Sequence, residues 1–355
     1  MAQIHNEIGA LADLKAQLRS KGIYEFDSLQ NILDFLKEFP QKKNQIILEH
    51  SKKIQSEKNQ LIRDAAEVKE LIEKKKNQKR LELIEHIQLI EKEILEYKIA
   101  GRQLWVNVKN QVLSFGASIR LLFLKSVLET RVKRFVFDEN SKLDKWRKRL
   151  DFIQGNFHEV VNSSARETLA PLVRKFDVLK EHKPMVLGAI GEQQVLDQLS
   201  LLPDNFHVIN DFYTSFRKAI YRKEQDDYIQ TIQIDHIVIG PSGVFVIETK
   251  NWNQQTIEEQ NHWGPVDQVR RAGYVIFVLL NSDDGNILRS IKKALWGQKK
   301  ISVRSILAMT NEKLSGEFKY VKVLKPNELL SYIQYFKDQL TLVEVDQIVS
   351  QLLKY

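Results

Sequence analysis

IQIDHIVIGPSGVFVIETK, residues 232–250, is the stretch that decides the fold. Two runs rich in β-branched residues, Ile234–Ile239 and Val244–Ile247, flank Pro241-Ser242-Gly243, a combination that turns a chain sharply. The pattern predicts a hairpin of strands over 228–239 and 244–250. Charge enters both strands. Asp235 interrupts the first, and the continuous apolar run of the second ends abruptly in Glu248-Thr249-Lys250. Inside a sheet a charge is costly unless it is paired or bound to a cation. Because side chains alternate every two residues, Glu248 and Lys250 share one face. A turn at 241–243 brings residue 235 near 248 or 249, so the three charged groups converge at one end of the hairpin.

Outward from the hairpin, Met185–Leu202 reads as a helix and Phe206–Tyr213 as a strand on the N-terminal side. On the C-terminal side come a helix from Pro265 to Leu280, strands Val303–Met309 and Tyr320–Leu324, and two helices after Pro326. This order predicts an α/β domain over 184–355, a mixed sheet flanked by helices.

The first half is a different material, read as an all-α, coiled-coil-rich region. A helix starting after Asp27-Ser28 is expected to close at Pro40. Beyond it Ile47, Ile54, Leu61 and Val68 recur every seven residues, Ala65 and Ile72 add a second seam, and Leu83, Ile87, Ile90, Ile94 and Tyr97 follow at 4, 3, 4, 3. Such spacing winds helices left-handedly around each other. The stripe needs a partner helix, from another subunit or from later in this chain. Gly101 is the expected hinge, dividing a coiled-coil region over 1–100 from a basic helical region over 101–183. Residues 1–180 carry 34 Lys/Arg against 25 Asp/Glu and residues 181–355 carry 20 against 21, so the positive excess lies outside the hairpin's half. Two readings follow, a grip on a polyanion or the solvated face of long helices. With no cysteine in the chain, disulfides, thiolate zinc sites and cysteine nucleophiles are excluded. The apolar runs Ile119–Leu128 and Gly273–Leu280 are read as too interrupted or too short to span a bilayer, and a cytoplasmic location is expected.

Converging carboxylates beside a lysine suit phosphodiester hydrolysis. Carboxylates hold Mg2+ or Mn2+ through oxygen, the metal activates a water and neutralises developing charge, and Lys250 would position or deprotonate that water. A surface cluster on an edge strand has the same bare spacing. More specific are the surroundings: Gly188-Ala189-Ile190-Gly191-Glu192, Ile234-Asp235-His236-Ile237-Val238, GVFVIETKN over 243–251, and Trp263, Pro265 and Gln268 at the start of the next helix. Together they resemble the NERD (nuclease-related domain) family, which is related to the PD-(D/E)XK restriction-endonuclease-like folds. The resemblance covers roughly residues 185–340. It implies Asp235, Glu248 and Lys250 as the active-site motif and Gln268 as the glutamine that orients substrate or Lys250. It also implies a metal shell in which Glu192 joins Asp235, Glu248 and Thr249. His236 is expected to face the other side of its strand and to be structural.

Arg217, Lys218, Arg222 and Lys223, expected in a connection between the first two strands, are candidate phosphate contacts, with Arg270 and Arg271 on the following helix. Ile291–Lys300 around Trp296, Arg131–Arg134 and Lys145–Arg149 are further basic clusters, each equally readable as solvated surface. The resulting expectation is a Mg2+-dependent nuclease acting on DNA, homo-oligomeric through its coiled coil. By analogy its role lies in defence against foreign DNA or in DNA processing. The alternative is a non-catalytic module that binds nucleic acid or protein.

Overall fold

In the computed structural model of the chain, residues 1–99, 104–259, 263–281 and 300–355 are described. The basic cluster around Trp296 and the hinge expected at Gly101 lie outside them. Two compact units emerge, one of Met1–Phe39 with Val173–Tyr355 and one of Pro40–Leu172. These divisions differ from boundaries at 100 and 183, because the first 39 residues pack with the C-terminal half.

The first unit is built on a sheet whose strands lie in chain order: β1 Gln3–His5, β2 His207–Arg222, β3 Asp227–Gly240, β4 Gly243–Lys250, β5 Val303–Met309 and β6 Val321–Leu324. The β2–β3–β4 pairs are antiparallel, whereas β4–β5, β5–β6 and β1–β2 are parallel. It is the mixed sheet expected. The β3–β4 turn is tight: Gly240 pairs with Gly243, whose φ of 125° only glycine adopts without strain. Helices α1 Gly9–Ser20 and α6 Lys183–Leu199 belong to this unit, with α7 Gln254–Glu259, α8 Trp263–Asn281, α9 Leu329–Gln334 and α10 Leu342–Leu352.

Val244–Ile247 is buried throughout because both faces of β4 are covered. Phe245 and Ile247 pack with Val195 and Leu199 of α6 and Ile333 of α9, while Val244 and Val246 pack with Val269 and Ile276 of α8 and Ile348 of α10. Each such side chain contributes about 2 kcal/mol by leaving water.

Two local expectations change. The segment 217–223 is no connection: β2 runs to Arg222 and pairs with β3 through Ile220–Arg222, after a register shift following Ser215. Its polar side chains hid a ribbon held by backbone bonds, which do not depend on side-chain polarity. Pro40 does not end a helix either, since α2 is continuous over Leu29–Ile99. Proline removes one N–H bond and crowds the preceding turn, at a cost of about 3 kcal/mol. Phe39, stacked on Phe176 with ring centroids 3.9 Å apart, helps hold the helix through that point.

The second unit is helical, made of the rest of α2 with α3 Leu104–Phe135, α4 Phe137–Gly155 and α5 Phe157–Glu181 up to Leu172. The heptad stripe of α2 is covered here by later helices of the same chain. Ile54 packs with Ile153, Val160 and Val161, Ile72 with Val136 and Leu143, and Ile87, Ile90 and Ile94 with Leu124. Helix α3 carries a second seam at 4, 3, 4, 3 spacing, formed by Val108, Val112, Phe115, Ile119 and Leu122, all between 53% and 69% exposed. By length and composition Val108–Phe135 is long and apolar enough to cross a membrane, a longer stretch than Ile119–Leu128, which Lys125 interrupts.

Candidate active site

The hairpin register builds the site. His236 opposite Ile247 is the last pair of the β3–β4 ladder, and Asp235 and Glu248 are the next residues of the two strands beyond it. Asp235 Oδ2 accepts the Thr249 N–H at 2.6 Å, which locks its carboxylate to β4. Lys250 Nζ donates to Glu248 Oε1 at 2.6 Å, joining the two residues that alternation placed on one face. Asp235, Glu248, Thr249 and Lys250 thus converge at the end of β4. Glu192 reaches them from α6: its carboxylate is buried, is capped by the Ala10 N–H at 3.2 Å, and feels the charge of Asp235.

Their proton affinities show how costly this gathering is. Burial first, then the Asp235 charge, pushes Glu248 up to about 8. Burial and Asp235 likewise push Glu192 up to about 8, against the Ala10 bond that lowers it. Asp235 is raised by burial, with the Thr249 N–H and Lys250 acting the other way. For Lys250 burial opposes the charge, yet Glu248 outweighs it and holds the ammonium above its ordinary value. One lysine is therefore too little cation for this many carboxylates. Oxygen donors with surplus negative charge suit a hard divalent cation such as Mg2+ or Mn2+, and the buried Thr249 hydroxyl has no hydrogen-bond partner. Among the described residues, no group of three or more Asp, Glu or His side chains is arranged to hold a metal ion as it stands.

One acid escaped the sequence reading. Asn210 pairs with His236 and Phe212 with Ile234, so Asp211 stands across from Asp235. Asp211, Asp235 and Glu248 form a row across β2, β3 and β4. Asp211 has a φ of 49°, and its Oδ1 accepts from Gln233 Nε2 at 2.9 Å. Like charges directly opposite destabilise a sheet, and non-glycine left-handed backbone clusters at functional sites. The available signal was an aspartate inside the apolar run of FHVINDFY, 206–213.

The remaining candidates separate. His236 is fully buried, held by Asn210 Oδ1 at 2.8 Å, and burial pushes its imidazole down to about 3, so it is neutral. Gln268 is exposed and lines a cavity of about 200 Å3 with Thr231, Gln233, Asp267 and Arg271. Arg217, Lys218 and Lys223 are exposed on and just beyond β2. Arg222 is buried and paired with Asp227 and Asp267, Arg270 pairs with Asp267, and Arg271 with Asp227. These three arginines tie the β2–β3 ribbon to α8.

Residues 187–310 match the model of the nuclease-related domain (NERD) family. The matched segment contains Glu192, Asp211, Asp235, Glu248, Lys250 and Gln268, and excludes β1 and α1. The chain is also similar to an uncharacterized protein of Bacillus anthracis, 39% identical over 85 residues, which are 24% of this chain and 35% of that relative's length. The similarity to the nuclease-related family thus extends over residues 187–310, the segment that carries the acidic centre.

Proposed function

We propose that the chain is a divalent-cation-dependent nuclease that hydrolyses phosphodiester bonds of DNA. The observation that carries this reading is the row of carboxylates at the end of β4, with Lys250 bonded to Glu248 inside a nuclease-related segment. Asp235, Glu248 and Glu192 would hold Mg2+ or Mn2+, with Thr249 beside them. When bound, the cation supplies Lewis acidity and offsets the charge of the phosphodiester. The chain's own residues do the rest. The Thr249 N–H keeps Asp235 aimed at the centre, and burial keeps bulk water from screening it. Lys250, bonded to Glu248 at the centre, would hold the attacking water or donate to a phosphoryl oxygen as negative charge grows there. Arg217, Lys218 and Lys223 are exposed cations of this unit that would contact the DNA backbone. The helical unit would serve self-association, which the open seam of α3 supports, and substrate positioning. Defence against foreign DNA or DNA processing is the setting such an activity suits.

Circular and linear DNA incubated with the purified protein should be cleaved with Mg2+ or Mn2+, and EDTA should stop the reaction. Protein that leaves DNA and RNA intact with either ion sinks the reading. Two observations favour a second reading, a non-catalytic binding module: Lys250 neutralises Glu248 internally, and among the described residues no group of three or more Asp, Glu or His side chains is arranged to hold a metal ion. Calorimetry separates the two, because a module without chemistry has no need of a Mn2+ site.

A further inference from the structure

The N-terminal segment lies outside the matched family residues, yet it is built into the acidic centre. Strand β1 adds to the sheet beside β2, with Gln3–His5 paired to His207–Ile209. Asn6 and Asn210 then exchange bonds, Asn6 Nδ2 to the Asn210 carbonyl at 3.3 Å and Asn210 Nδ2 to the Asn6 carbonyl at 3.0 Å. The Asn210 side chain also holds His236, so this clasp reaches β3 one residue from Asp235. Helix α1 starts immediately afterwards. Ile8, Leu11, Leu14 and Leu18 pack it against Val186 and Ala189 of α6, the helix that carries Glu192.

Two contacts at the first turn of α1 point into the centre. The Ala10 N–H donates to Glu192 Oε2 at 3.2 Å, and the Cα of Gly9 lies against the Asp211 carboxylate. At Gly9 a Cβ would sit 2.6 Å from Asp211 Oδ1 and 2.8 Å from its Cγ, so a side chain there must push that carboxylate aside. The start of α1 is therefore wedged between two acids that flank Asp235. Orphan amides at a helix start favour a negative group. Here the group is a carboxylate of the site itself, aimed by a segment more than 180 residues away in sequence.

We propose that α1 is a positioning element of the metal centre: through the Ala10 N–H it holds Glu192, and through the bare Cα of Gly9 it seats Asp211, so that the N-terminal segment sets how tightly the centre takes a divalent cation. This rests on the reading of the site as a cation centre. Gly9 and Ala10 act through Glu192 and Asp211 and touch neither substrate nor metal.

The test is Mn2+ binding to the full chain by calorimetry, in a double-mutant cycle of Ala10→Pro and Glu192→Gln. Proline is tolerated in the first turn of a helix, so Ala10→Pro removes the donor while α1 persists. Groups that orient metal ligands typically account for ten- to hundredfold in affinity, so Ala10→Pro should weaken Mn2+ binding about tenfold or more. In the Glu192→Gln background the same change should add little, because its target is already gone. Gly9→Ala provides an independent route and should weaken binding by displacing Asp211, with thermal melting reporting whether α1 stays docked. Wild-type affinity in both Ala10→Pro and Gly9→Ala overturns the inference, as does an effect of Ala10→Pro that is undiminished in Glu192→Gln. If those variants bind normally while Asp235→Asn abolishes binding, the cation centre stands and the role of α1 falls. A wild-type chain that binds no Mn2+ overturns the centre and this inference together.

Discussion

Opposite charges meet in both units, with different physics. At the end of β4, Glu248 and Lys250 are paired with side chains 3% and 25% exposed. Between helices of the second unit, Glu57 and Arg149 pair at 2.9 Å with side chains 38% and 42% exposed, and Glu129 and Arg80 at 3.0 Å with 59% and 42%. Water screens the second kind, and such pairs contribute little. The first kind has left water, so its geometry and proton affinity answer to every neighbouring charge. A helical assembly can spread charge over its surface freely. A sheet that gathers several carboxylates at one strand end must have a reason to keep them.

Removing the buried charges should have the largest effect. Glu248→Gln and Lys250→Met should each lower DNA cleavage about a thousandfold, a size typical of losing one group that stabilises developing charge. Gel assays read the loss, and circular dichroism should show an intact fold. Cleavage unchanged in both variants would remove the distinction between the two regions.

Next in size is the pH dependence of stability in the absence of divalent cations. Glu192 and Glu248 have folded values raised to about 8, so their contribution is present below their unfolded value and lost as pH rises through about 8. The cation-free protein should lose on the order of a few kcal/mol between pH 5 and pH 9. Glu248→Gln should flatten that slope, and Mn2+ should reverse it. Urea titrations at several pH values measure both.

In the helical unit, core packing should outweigh charge. Ile153→Ala, at a fully buried seam position, should cost about 2–5 kcal/mol, whereas Arg149→Ala should cost less than about 1 kcal/mol. Equal losses in denaturant melts would mean that the ion pairs are not merely surface decoration. The smallest change in stability should come from Phe115→Ser on the exposed α3 seam, within about 0.5 kcal/mol. Light scattering should nevertheless record a smaller species if that seam mediates self-association.

Much of this was legible from local pattern. The hairpin could be read within a residue or two because alternation and a Pro-Ser-Gly turn are short-range signals, and the same pattern brought Asp235, Glu248 and Lys250 together. The seams of α2 were legible too, down to the residues now buried. Longer-range features were not. Strand β1 has only three residues and is a strand because β2 offers it an edge. Pro40 looked like a stop because a proline's local cost is visible in sequence, while the packing that holds the helix through it is not. Arg222 looked like a DNA contact until Asp227 and Asp267 closed on it.

The sequence by itself determined the two materials of this chain, a mixed α/β part and a heptad-striped helical part, because periodicity and turn chemistry act over a few residues. Only the tertiary structure decided which helices cover the α2 stripe, that Asp211 joins the row of acids, and that α1 reaches back to hold Glu192. Those outcomes depend on which distant surfaces meet. The cost of burying a charge, and so its chemistry, is set by neighbours that the chain brings together only when it folds.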